Sequence, residues 1–114
     1  MDLDETPGRS IEWAHACSAD RRLLQTVKRL FQKHPELLTF LFDRRQARLN
    51  AAPEVILERA QGMSSGERIL VRIALDLWNS SGGTNLLDPI ERLDRDNFEN
   101  FISALRLLRH DSSL

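Results

Sequence analysis

Met63-Ser-Ser-Gly-Glu-Arg-Ile-Leu-Val-Arg-Ile-Ala-Leu-Asp-Leu-Trp-Asn79 is the most informative stretch of this 114-residue chain. At helical spacing its polar residues Arg68, Arg72, Asp76 and Asn79 fall on one line, four, four and three residues apart. The remaining residues from Ile69 to Trp78 are apolar, so most of the cylinder requires cover from neighbours. Ser64 and Glu67 have the spacing of a capping box, in which each side chain satisfies a backbone N–H at the helix entrance. Asn79-Ser-Ser-Gly-Gly83 ends the helix, with a glycine available for the left-handed conformation. This pattern predicts a central, largely buried helix over residues 65–79.

Outward from that helix, the same reasoning places others. Towards the N-terminus, Val55, Ile56, Leu57 and Ala60 predict a short helix opened by Pro53 and closed by Gly62. Pro35 opens an earlier helix whose first half is apolar (Leu37, Leu38, Phe40, Leu41, Phe42) and whose second half carries Arg44, Arg45 and Arg48. Before it, Leu23, Val27, Leu30, Phe31 and His34 share one face of a helix, while Arg22, Arg29 and Lys33 line another. Ser18 or Asp20 caps that helix, and Pro35 stops it at His34. A short helix over Ile11–Cys17, anchored by Trp13, is expected still earlier. Towards the C-terminus, Asp88-Pro89-Ile90-Glu91 reads as a cap with proline at the first helical position. Asp94 caps a last helix in which Phe98, Phe101, Ile102, Leu105 and Leu108 share a face.

No alternating apolar pattern with hairpin chemistry is present, so no sheet is predicted. The expected fold is all-α: a compact single-domain bundle of about five to seven helices packed around the central buried helix at 65–79. Residues 1–9 read as a flexible leader, 10–110 as one helical domain and 111–114 as a frayed tail. The hydrophobic fraction of 41% with 29% charged residues suits a folded globular chain. No apolar run approaches the roughly 18–20 residues needed to span a bilayer. With one cysteine, Cys17, an internal disulfide is excluded and a cytoplasmic setting is expected.

The formal net charge is -1, but its distribution is uneven. Residues 1–20 carry -4, residues 21–50 carry +6 and the remainder -3. The basic segment makes Arg44, Arg45 and Arg48, together with Arg22, Arg29 and Lys33, a candidate interaction surface for phosphate backbone or an acidic protein face. The strip Arg68, Arg72, Asp76 and Asn79 is a second candidate, as a groove or subunit contact.

Met63-Ser-Ser-Gly-Glu-Arg68 resembles the signature loop of ABC-type ATPases, a Ser-Gly-Gly-Gln-like turn that opens a helix. The resemblance implies nucleotide-phosphate binding at the helix N-terminus formed by Ser64 to Glu67. It spans six residues, and no Gly-x-x-x-x-Gly-Lys-Ser/Thr phosphate loop accompanies it. The capping box explains the same residues without a ligand.

No catalytic or cofactor-binding set is evident, and no metal set either: His15 and Cys17 stand two apart, and His34 belongs to an apolar helix face. The chain is therefore expected to be non-enzymatic and free of cofactors. The favoured expectation is a protein-binding or regulatory module, its simplest version a homodimer that buries part of the Phe40/Phe42 or Phe98/Phe101 surface. Nucleic-acid binding through the 21–48 segment is the alternative, and phosphate binding at Ser64–Glu67 the third.

Overall fold

A computed structural model describes residues 11–112. Among these residues there are six α-helices and one 3-10 turn, and no strand. The helices are α1 (Ser18–Leu30), α2 (Glu36–Leu41), α3 (Pro53–Arg59), α4 (Ser65–Asn79), α5 (Leu87–Arg92) and α6 (Arg95–Ser112), with the 3-10 turn Ala60–Gly62 joining α3 to α4. The all-α expectation holds.

α4 has the predicted limits and the predicted entrance. Glu67 N–H donates to Ser64 Oγ, and Ser64 N–H donates to Glu67 Oε1, closing the capping box. Leu70, Val71, Ala74 and Leu75 are fully buried, and Ile69 and Ile73 nearly so. α4 packs against α1, α3, the 3-10 turn and α5, while α1 and α6 make the most extensive helix pair. Val27, Leu30 and Phe31 of the α1 region, with Phe101 and Ala104 of α6, belong to the same core. The helix exit differs in detail from the expectation. Ser80, not a glycine, takes the left-handed conformation directly after α4, and Gly83 takes it three residues later.

One expected helix is absent and another is cut short, for related reasons. Residues 11–17 form no helix. Glu12 N–H instead donates to Arg44 C=O at 2.7 Å, and Trp13 Nε1 donates to Asp43 C=O at 2.9 Å. A seven-residue segment cannot sustain helix nucleation alone, so these distant acceptors prevail. Trp13 is nevertheless the anchor it was read to be, buried against Phe42 and Trp78 with ring centroids 5.5 and 5.6 Å away.

α2 stops at Leu41, so Arg44, Arg45 and Arg48 lie on a loop rather than on a helix. Asp43 Oδ1 accepts the N–H groups of Arg45 and Gln46, a local turn that competes with helix continuation. Asn50 Nδ2 donates to the carbonyls of Thr39 and Phe42, acceptors that the helix end leaves over. Phe42 and Leu49 pair as an isolated bridge across this loop.

Smaller differences concern caps and ends. α1 begins at Ser18 with Cys17 before it and no side-chain cap, and it ends at Leu30, short of His34. α5 begins two residues earlier than expected, because Asn85 Oδ1 accepts Leu87 N–H and Asp88 lies inside the first turn. Asp94 does cap α6, accepting Asn97 N–H at 2.8 Å. α6 continues to Ser112, and the rest of the expected tail, 113–114, lies outside the described residues. Leu105 faces solvent instead of joining the Phe101 face. The expected leader over residues 1–9 lies outside the described residues.

Candidate functional site

Arg68 and Arg72, the first half of the polar strip of α4, line one wall of a groove of about 920 Å³. Arg68 and Arg72 face α5 across it, and Glu54 and Glu58 enter from α3. Arg72 and Asp76 both turn to the loop that follows α4. Asp76 Oδ1 accepts the backbone N–H groups of Gly82 (2.8 Å) and Gly83 (3.1 Å), and Oδ2 accepts that of Thr84 (2.9 Å). Arg72 Nη1 donates to Gly82 C=O at 2.9 Å. Both side chains therefore clasp the 82–84 loop, which delivers the chain to α5. Burial pushes the Asp76 carboxyl up, but the Thr84 side chain and the backbone N–H groups of Thr84, Gly82 and Gly83 together outweigh it and hold the pKa below its ordinary value. The Thr84 hydroxyl has no hydrogen bond of full geometry, so we assign most of that effect to the three backbone donors.

The close approach of loop to helix requires glycine at 82. A Cβ there would stand 1.9 Å from the Arg72 carbonyl oxygen. Arg68 Nη1 donates to Gln61 C=O at 3.3 Å, tying the 3-10 turn to α4, and Asn79 accepts from the Ser81 hydroxyl. The strip is thus a structural device that builds the groove, with exposed arginine surface remaining at Arg68 and Arg72.

α5 and the residue before it also present apolar surface. Leu86 is 70% exposed, and Leu87 and Ile90 are each 55% exposed. Leu87 and Ile90 are three apart and share a face of the helix. Pro89, between them, is buried. A cap at Asp88-Pro89-Ile90-Glu91 does not by itself anticipate this patch. Its signal was available in the run Leu86-Leu87 followed by Ile90. The aromatic surfaces nominated for dimerisation are largely committed to the core: Phe42 is fully buried, Phe101 is 8% exposed, and Phe40 and Phe98 are half-buried.

The basic segment does not form one helical face. Lys33 Nζ lies 3.5 Å from Asp94 and 3.6 Å from Asp96, and Arg29 reaches Ser103 at 3.4 Å, so α1 is tied to α6. Arg48 lies 3.5 Å from Asp43. The backbone N–H groups of Arg45 and Gln46, aided by the Arg48 charge, lower the Asp43 pKa against a smaller opposing effect of burial. Arg44 and Arg45 stand exposed on the loop, and Arg22 is exposed on α1.

At the entrance of α4, Glu67 Oε1 also accepts from the Ser64 hydroxyl. An anion approaching this N-terminus meets a carboxylate already seated on the cap. Cys17 is exposed. One grouping has no local sequence signature: Glu67 converges with His34 and Glu36, which belong to a distant part of the chain.

No family model matches the chain, and neither the curated proteins nor the solved structures offer a significant match.

Proposed function

We propose that this chain is a non-enzymatic helical module that works by binding protein, with a second copy of itself as the simplest partner. The observation that carries the reading is the exposed Leu86, Leu87 and Ile90 surface at the start of α5, the helix whose Asp88 and Arg92 line the groove. Contiguous apolar surface rimmed by charge is characteristic of interaction sites. The groove also holds both signs of charge, with Arg68 and Arg72 from α4 and Arg92 from α5 against Glu54 and Glu58 from α3. A two-fold interface requires a self-complementary patch, and a patch carrying both signs meets that requirement.

Nucleic-acid binding has less support, because Lys33 and Arg48 already face carboxylates of the same chain. Phosphate binding at Ser64–Glu67 has less still, given the carboxylate on that cap.

Sedimentation equilibrium over a wide concentration range tests the proposal. The expected result is a reversible dimer that Leu87→Glu combined with Ile90→Glu converts to a monomer, with the helical circular dichroism unchanged. A wild-type chain that stays monomeric at the highest concentrations overturns self-association.

A further inference from the structure

His34 lies in the link between α1 and α2, Glu36 opens α2, and Glu67 stands in the first turn of α4. Their metal-ligating atoms all lie within 4.8 Å of one another. His34 Nδ1 is 3.6 Å from Glu36 Oε2 and 3.6 Å from Glu67 Oε2. Glu67 uses its two oxygens differently. Oε1 is held by the Ser64 N–H and hydroxyl, which fixes the carboxylate and leaves Oε2 directed at the imidazole. The nearby cation Lys33 is engaged by Asp94 and Asp96.

The other face of the ring meets Asn97. Nδ2 of this residue lies 3.4 Å from His34 Nε2, and the residue is 4% exposed. Its Oδ1 is buried without a hydrogen-bond partner. The two ends of an amide are alike in shape, so turning the group over is sterically mild. The oxygen then accepts from Nε2–H, and the nitrogen takes the position the oxygen now holds. That arrangement places the ring proton on Nε2 and leaves the Nδ1 lone pair facing two carboxylates. Three lone-pair donors then converge, and a cation between them removes their repulsion. A histidine ligand whose second nitrogen donates to a fixed oxygen is the usual arrangement at such sites.

We propose that His34, Glu36 and Glu67 bind a divalent transition-metal ion, zinc being the best fit, with Asn97 orienting the imidazole. Tetrahedral zinc with nitrogen and oxygen ligands requires donor separations of about 3.3 Å, from bond lengths near 2.05 Å. The two histidine–glutamate separations of 3.6 Å need little adjustment. Mixed imidazole and carboxylate donors favour zinc over calcium or magnesium, which prefer oxygen alone. Three protein ligands leave a fourth position open to water or a substrate. The site would also join the α1–α2 link to α4, so the metal would bind the folded chain in preference to the unfolded one.

The test uses the tag-free 114-residue chain treated with chelator and dialysed. Zinc chloride is titrated by calorimetry, and cobalt chloride by visible absorption. The expected result is one equivalent of zinc, intense cobalt bands of a tetrahedral site, and a thermal midpoint that rises with zinc. His34→Ala should abolish the cobalt bands. Glu36 is exposed, so Glu36→Gln should retain the fold while weakening zinc by at least about tenfold, and Asn97→Ala should weaken it by roughly 10–100-fold. Cys17→Ser should leave binding unchanged. Absence of both zinc heat and cobalt bands overturns the proposal. So does binding that survives His34→Ala and Glu36→Gln, or that disappears with Cys17→Ser.

Discussion

Asp76 shows how a single side chain on a helix can organise a following loop. Its carboxylate receives three backbone N–H groups from residues 82–84, and charged acceptors make stronger hydrogen bonds than neutral ones. Asp76→Ala leaves those donors without their acceptor and should cost on the order of 1–3 kcal/mol at neutral pH, read from urea melts. The pH dependence follows from the direction of the shift. The folded pKa lies below the ordinary value of 3.8, so the unfolded chain binds the proton first as pH falls. The contribution of Asp76 is complete above that ordinary value and is lost as pH drops through the lower folded value. The difference between wild type and Asp76→Ala should therefore shrink below about pH 4. Equal stability of the two proteins at neutral pH would show that the loop is held by other contacts.

Among the elements, α4 bears the largest share of the core. Leu70 is fully buried, and Leu70→Ala should cost about 2–5 kcal/mol through lost transfer energy and a residual cavity. A thermal melt that does not move would contradict its central placement. α4 was legible in the sequence because its signals are local: a capping box at one end, turn residues at the other and a narrow polar strip between. The segments at 11–17 and 43–49 were not legible as they fold. Their structure depends on hydrogen bonds between residues about thirty positions apart, such as Trp13 to Asp43, and helical periodicity carries no trace of those. Asp43 and Asn50 did offer a local hint, since both residue types stop helices through side-chain contacts with the backbone.

For the whole molecule, the lesson is about what brings residues together. The strip Arg68, Arg72, Asp76 and Asn79 could be read from spacing, but its partner, the 82–84 loop, could not. The uneven charge along the chain becomes partly intelligible in three dimensions, where Lys33 of the basic segment meets Asp94 and Asp96 at the start of α6. These pairs are exposed, and exposed pairs contribute little to stability. They fix which carboxylates lie near which cations more than they hold the fold. The groove beside α5 and the convergence of His34, Glu36 and Glu67 both arise at junctions between elements, where no single-segment pattern exists to be read. Among the described residues, no helix is long and apolar enough to cross a membrane.

The aromatic trio at the end of α4 has an optical consequence. Trp13 and Trp78 are the chain's two tryptophans, and their ring centroids are 5.6 Å apart at an interplanar angle of 60°. Transition dipoles that close and that inclined couple, so the pair should give a circular-dichroism band that neither indole gives alone. Trp13→Phe should remove that band completely, whereas independent chromophores would lose only the share of one. Because Trp13 lies on the N-terminal segment and Trp78 on α4, the band is a built-in gauge of whether that segment is docked. It can be followed during unfolding without any added label.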